Sequence, residues 1–163
     1  MKCKGVMALF PDSSKIQLRV LALDVATKTG WATKNAHGLW DFNIKRDESN
    51  GMKFLRFRAK LKEVCQLEDI NLITFERSSG MHQSSVIHQS ELHGVLKLFC
   101  EDNNIEYKAY SAKEIKQFAT GKGNANKEAM ITAAKKMYPG FDGDDNVADA
   151  MHIYYLTVKD FDL

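Results

Sequence analysis

The sequence predicts an α/β fold, one five-stranded mixed sheet flanked by helices, and three observations lead there. Two apolar runs, Val20 to Leu23 and Leu72 to Phe75, each end in a single acid, Asp24 and Glu76, as buried strands delivering one carboxylate would. Between Val20 and Ile44, short β-prone stretches follow one another with turn residues between them, the pattern of antiparallel strands. The second acid-ended run is followed by a helical pattern and another short strand, an order that requires a parallel pairing with a right-handed crossover.

A chain of 163 residues with 44% hydrophobic content is one domain's worth and long enough to bury a full core. A single domain over 1–163 is expected, with residues 1–17 a short N-terminal extension that turns at Pro11-Asp12-Ser13-Ser14. The formal charge is only +2, but the acids are unevenly placed. From Asp142 onward Asp142, Asp144, Asp145, Asp149, Asp160 and Asp162 face one base, Lys159, so the rest of the chain carries a positive excess around an acidic pocket. Cys3, Cys65 and Cys100 are odd in number and scattered without a Cys-x-x-Cys, which excludes a disulfide framework and a zinc ribbon and points to a reducing, cytoplasmic compartment. The apolar run Val6 to Phe10 is too short for a signal-peptide core or a membrane span, so no membrane partner is expected.

Taken in order, the first strand ends at Asp24 and turns over Thr27-Lys28-Thr29-Gly30, with Gly30 expected at positive φ, before Trp31-Ala32-Thr33 resumes as the second strand. Gly38 to Ile44 alternates with period two as a third strand. Gly51 to Gln66 reads as an amphipathic helix, with Phe54, Phe57, Leu61 and Val64 inward and Lys53, Arg56 and Lys60 on a solvated face. After the strand ending at Glu76, a helix from about Ser85 to Glu101 presents Val86, Leu92, Val95, Leu96 and Phe99, and Glu106 to Ala109 forms the last strand. His82, His88 and His93 lack metal-ligand spacing and read as polar surface or junction residues.

The candidate chemistry lies in the strand-end acids and in the lysine-rich and acidic segments downstream of them. An isolated buried carboxylate costs several kcal/mol, roughly, unless something compensates. If their strands are adjacent and parallel, Asp24 and Glu76 reach the same sheet edge. Glu114 to Lys127 reads as a short helix broken by a Gly-x-Gly turn, whose Gly121 and Gly123 let backbone N–H groups approach an anion. Asn124 or Asn126 caps the next helix, and Lys116, Lys122 and Lys127 supply charge. On the last helix Asp145, Asp149 and His152 share one stripe opposite Val147, Met151, Tyr154 and Val158. Asp149 lies mid-helix among alanines that permit close approach to the sheet, and His152 reads as a packed or surface residue. Four carboxylates without cysteine or histidine ligands suit a hard divalent cation, magnesium with manganese as a substitute. Two such ions roughly 4 Å apart activate a water and stabilise the leaving 3′-oxygen of a phosphodiester.

At these residues the chain resembles the RuvC-type Holliday junction resolvases of the ribonuclease H-like nuclease superfamily, over most of Val20 to Leu156. Leu23-Asp24-x-Ala-x-Lys-Thr-Gly is similar to the family's first motif and Phe75-Glu76 to its second. Ile115-Lys116-Gln117 with Thr120-Gly121-Lys122-Gly123-x-Ala125-x-Lys127-Glu128 is similar to its lysine-bearing segment, and Asp145-Asn146-x-Ala148-Asp149-Ala150 to its last. The resemblance implies that Asp24, Glu76 and Asp149 are metal ligands and that Lys116 and Lys127 contact or activate the scissile phosphate. Cellular members carry the fourth ligand three residues before the final acid, where Asn146 stands; Asp145, four before, takes that role in the arrangement of phage-like members. Arg77-Ser78-Ser79-Gly80 lacks the aromatic that cellular resolvases place there.

The implied activity is magnesium-dependent, structure-selective cleavage of four-way and other branched DNA in recombination or repair, by a homodimer, with Lys116, Lys122 and Lys127 on the DNA. A ribonuclease H-like nuclease for structured RNA or other branched DNA is the nearest alternative. A noncatalytic junction-binding module has no need of the acids on the last helix. An actin-like or sugar-kinase domain needs a second Gly-rich phosphate loop and a longer chain.

Overall fold

The sheet grows outward from its first strand. In the computed structural model, which describes residues 17–78 and 83–163, β1 (Val20–Asp24), β2 (Lys28–Ala32) and β3 (His37–Asp41) form an antiparallel meander. Helix α1 (Gly51–Leu67) leads to β4 (Leu72–Glu76), and α2 (Gln83–Asn103) to β5 (Glu106–Tyr110). β4 lies parallel to β1 on its other side and β5 parallel to β4, giving the order β3-β2-β1-β4-β5. The expected five-stranded mixed sheet is present. Three helices complete the chain: α3 (Ala112–Thr120), α4 (Lys127–Met137) and α5 (Asp145–Phe161). The expected extension lies outside the described residues up to position 16, as do Cys3, Ser79, Gly80 and His82.

Alternation along β1 and β4 sorts the two faces of the sheet. Leu21, Leu23, Ile73 and Phe75 point to one face, where Phe57, Leu61 and Val64 of α1 and Leu92, Leu96 and Phe99 of α2 bury them in the largest core cluster. Each such side chain contributes about 1.5–3 kcal/mol by leaving water. Ala22 and Thr74 point to the other face, which α5 covers: Ala22 packs with Ile153, and the Thr74 hydroxyl meets that of Thr157 at 2.9 Å. Asp24 and Glu76 have the parity of Ala22 and Thr74, so both acids project toward α5.

The first hairpin turns earlier than expected. Lys28, Thr29 and Gly30 are already in β2, and the turn is made by Val25 to Thr27. Buried Thr29 explains the shift: its hydroxyl donates to the Ala26 carbonyl at 2.6 Å and accepts from the Ala26 N–H at 3.3 Å, doing for the turn what a glycine at positive φ would. Gly30 is not at positive φ; it is needed for proximity, because a Cβ there would sit 1.9 Å from the Asn146 carbonyl oxygen on α5.

Two further expectations about polar residues fail. Lys53 is buried rather than solvated, with its ammonium donating to the Thr27 hydroxyl at 3.3 Å. His93 is buried against the Phe75 ring, its Nδ1 3.0 Å from the Ser78 hydroxyl, so it is a core histidine and not a surface one. Burial pushes its pKa down to about 4, which keeps it neutral.

Candidate active site

The parallel register of β1 and β4 determines where the first two acids meet. Leu23 pairs with Phe75, so the next residues, Asp24 and Glu76, leave adjacent strands side by side at their carboxyl ends. Helix α5 brings the others. Asp144 caps it by accepting from the Val147 N–H at 3.0 Å, which starts the helix at Asp145. The contact of Asn146 with Gly30, itself paired with Asp24, holds that helix start over the end of β1. Ala148 and Ala150 are fully buried and keep the approach short.

The carboxylates lie close enough to act on one another's ionisation. Burial raises the Asp24 carboxyl well above its ordinary range, with Asp149, Glu76 and Asp145 adding repulsion in that order. Glu76 is raised by burial and partly relieved by the Lys116 ammonium. Burial also pushes Asp149 up to about 7, with Glu76 and Asp145 adding repulsion and Lys116 and Lys127 opposing it. Its Oδ1 is buried without a hydrogen-bond partner among the described residues. Asp145 behaves differently: it is partly exposed, its Oδ2 accepts from Lys127 Nζ at 2.8 Å, and that bond lowers its pKa.

The structure therefore brings together Asp24, Glu76, Asp145, Asp149, Lys116 and Lys127. Lys127 occupies the first position of α4, capped by Asn126 accepting from the Ala129 N–H at 2.9 Å; the bond to Asp145 raises its pKa, and Asp149 and Asp24 add to the effect. Lys116 lies on α3, partly buried, close enough to Glu76 and Asp149 to offset their charge. Lys122 stands apart, exposed in the loop between α3 and α4.

The expectation of a backbone anion cradle in that loop is corrected in part. Gly121 is the left-handed cap of α3 at φ 76°, and its N–H donates to the Gln117 carbonyl; the Lys122 N–H donates to the Thr120 hydroxyl at 3.2 Å.

As the side chains stand, no three carboxylate, imidazole or thiol groups among the described residues are arranged to hold one metal ion. Shared ligation therefore requires side-chain rotation at this edge. The donor set nevertheless fits a hard divalent cation. It offers only oxygens, burial and mutual repulsion disfavour the charged forms of Asp24 and Asp149, and one buried oxygen of Asp149 has no partner among the described residues.

Of the two expectations for His152, packed or surface, the packed one holds: it is fully buried between α4 and α5 and bonded at both ring nitrogens. Its apolar neighbours on the helix, Met151 and Ile153, are the signal that could have found it.

Comparison with known proteins bears on the family and the fold. The family model of crossover junction endodeoxyribonuclease RuvC matches residues 42–154. A curated relative, the crossover junction endodeoxyribonuclease RuvC of Brachyspira hyodysenteriae, is 42% identical over 73 residues, which span 42% of this chain and 43% of that protein. The match thus covers less than half of either chain. Among solved structures, Thermus thermophilus RuvC has a TM-score of 0.70 at 17% identity, covering 85% of this chain and 92% of that one. T. thermophilus RuvC in complex with Holliday junction substrate has a TM-score of 0.72 at 17% identity, covering 90% and 95%. The yeast mitochondrial Holliday junction resolvase has a TM-score of 0.57 at 14% identity, covering 85% and 77%. At these identities the structural likeness is one of fold.

Proposed function

The chain belongs to the crossover junction endodeoxyribonuclease RuvC family, and from that premise we propose that it is a magnesium-dependent endonuclease that cleaves four-way DNA junctions by phosphodiester hydrolysis. The observation that carries this reading is the meeting of Asp24, Glu76 and Asp149 beside Lys116 and Lys127 at one sheet edge. Buried carboxylates that repel one another are a standing cost unless a cation and a substrate phosphate use them.

In this reading Asp24, Glu76, Asp145 and Asp149 hold the metal, with two magnesium ions per site and manganese able to replace them. When bound, the ions supply an activated water and a counter-charge for the leaving 3′-oxygen. The chain's own residues do the rest. The strand ends and the α5 backbone fix the carboxylates. Lys116 offsets charge developing on the scissile phosphate from the α3 side. Lys127, in exchanging Asp145 for a phosphate oxygen, does the same from α4 and frees a carboxylate for the metal. Lys122 holds a flanking phosphate. Symmetric cutting of a four-way junction takes two such sites, so the working unit is a homodimer. No helix of the described residues is long and apolar enough to cross a membrane, and the free thiols of Cys65 and Cys100 suit a reducing, cytoplasmic compartment.

The test is cleavage of synthetic four-way junction, flap, linear duplex and RNA hairpin by the purified protein, with magnesium and with chelator. The reading expects paired incisions in the junction, dependent on magnesium, and little cleavage of linear duplex. Preferential cutting of the RNA hairpin, or junction cutting in chelator, contradicts it.

A further inference from the structure

The cluster of Tyr138, His152 and Met130 lies outside the acids and lysines, yet it joins the two helices that carry them. The Met130 carbonyl can only accept, so the His152 Nε2, 2.9 Å away, carries the proton and donates. Nδ1 is then the acceptor, and the Tyr138 hydroxyl donates to it at 2.8 Å. Both side chains are buried, His152 completely. Burial depresses the histidine pKa against the opposing effect of its bond to Met130, consistent with a neutral ring in this fixed tautomer.

The placement gives the cluster its consequence. His152 is three residues after Asp149 on α5, and Met130 three residues after Lys127 on α4, each one helical turn from a site residue. Tyr138 is the C-cap of α4, so one imidazole holds both the first turn and the cap of that helix. At the site end the two helices are joined by Lys127–Asp145, an exposed ion pair of the kind worth only about 0–1 kcal/mol. Such a pair does not hold a helix in place. Apolar packing of Met130, Ala134 and Tyr138 with Val147, Ala148, Met151 and Ile153 joins the helices, and the two buried hydrogen bonds fix how they sit, because breaking either leaves a buried polar group unpaired at about 1–3 kcal/mol.

We propose that His152 is a positioning residue: through Met130 and Tyr138 it holds α4 against α5 and so places the Lys127 ammonium beside Asp145 and Asp149. The role rests on the proposed nuclease reading for its consequence, but not for its detection.

Four variants test it: His152→Leu, which removes both bonds, His152→Gln, which keeps a donor toward Met130, Tyr138→Phe, and Lys127→Ala alone and combined with the others. The first readout is the carboxyl carbon chemical shift of Asp145 at neutral pH, which reports the Lys127 contact whether or not junctions are cut. In His152→Leu it should move toward its value in Lys127→Ala, and in His152→Gln most of the wild-type shift should return. The second readout is single-turnover cleavage of a four-way junction at saturating enzyme. His152→Leu should lower the rate at least about tenfold with affinity unchanged within about twofold, and in a Lys127→Ala background it should cost less than about twofold more, since coupled residues are non-additive. Should His152→Leu fail to fold, Tyr138→Phe carries the same comparison with a smaller loss. An Asp145 shift unchanged in a folded variant, or equal losses in both backgrounds, overturns the proposal. A wild-type protein that leaves junctions intact while the shifts behave as expected overturns the nuclease reading and leaves the positioning intact.

Discussion

The two faces of the central sheet are built to different ends. On the α1–α2 face, Leu21, Leu23, Ile73 and Phe75 meet Phe57, Leu61, Leu92 and Leu96, large side chains that separate the layers and supply stability. On the α5 face, Gly30, Ala22, Ala148, Ala150 and Thr74 keep the layers close, so that a helix backbone reaches the sheet and its acids reach the strand-end acids. A face of small residues buries less apolar area per contact, and here it also gathers repelling carboxylates. The largest single core cluster lies on the α1–α2 side, while two smaller clusters share the α5 side with the costly site.

Substitutions that separate the two roles sharpen this contrast. The largest effect is expected at Asp24, whose replacement by Asn removes a ligand but no basic contact. Junction cleavage should fall by more than about 10³, beyond the loss of one electrostatic stabiliser, while junction affinity holds. Loss of affinity with loss of fold would place Asp24 among structural residues. On the other face, Phe57→Ala should destabilise by about 3–5 kcal/mol, read by urea unfolding, with the cleavage rate per folded molecule unchanged. A rate loss at full folding would join the two faces that the comparison separates.

Gly30→Ala tests the close approach itself. Its Cβ would meet the Asn146 carbonyl oxygen, a backbone atom that cannot swing away, so α5 must shift. A loss of about 1–3 kcal/mol from overpacking is expected, together with slower cleavage by the folded fraction. Gly38→Ala, whose added methyl has the Trp31 side chain as its nearest neighbour at 3.0 Å, is the milder control. Equal effects of the two would remove the special status of the α5 contact. The smallest effect belongs to Lys122→Ala, which should weaken binding to all DNA and reduce the salt dependence by about one counterion without changing single-turnover rate.

Legibility in the sequence divides along the same line. An apolar run ending in one acid is a local signal, so Asp24 and Glu76 could be read directly, whereas their meeting at one edge depended on the two strands being adjacent and parallel, which the β1–β4 pairing supplies. An asparagine cap, Asn124 or Asn126, was legible because capping is local chemistry, and Asn126 is the one that caps. Polar residues whose burial depends on distant partners were not legible: Lys53 needs Thr27 and His93 needs Ser78, and for His152, read as packed or surface, the partners Met130 and Tyr138 could not be named. Gly30 could be seen as special but not for the right reason, since its neighbour Asn146 lies on the last helix. Nor does spacing reveal that Asp145 is paired to Lys127 while Asp149 is left with an unpartnered oxygen.

The central claim is that the carboxylates at the α5 edge form one charged site whose repulsion a divalent cation relieves. It is tested most directly by the unfolding temperature as a function of pH, with and without magnesium, in wild type and Asp149→Asn. Asp149 is held near 7 in the folded protein against about 3.9 in an unfolded chain. The folded state therefore binds more protons between those values, and its stability falls as pH rises through them. Without magnesium the wild-type unfolding temperature should decline over that interval. The profile of the Asp149→Asn variant should be flatter, and higher at neutral pH by about 2–4 °C for each kcal/mol relieved. Magnesium at neutral pH should raise the wild type well above its metal-free value and the variant much less. Parallel profiles with the same response to magnesium would contradict the account.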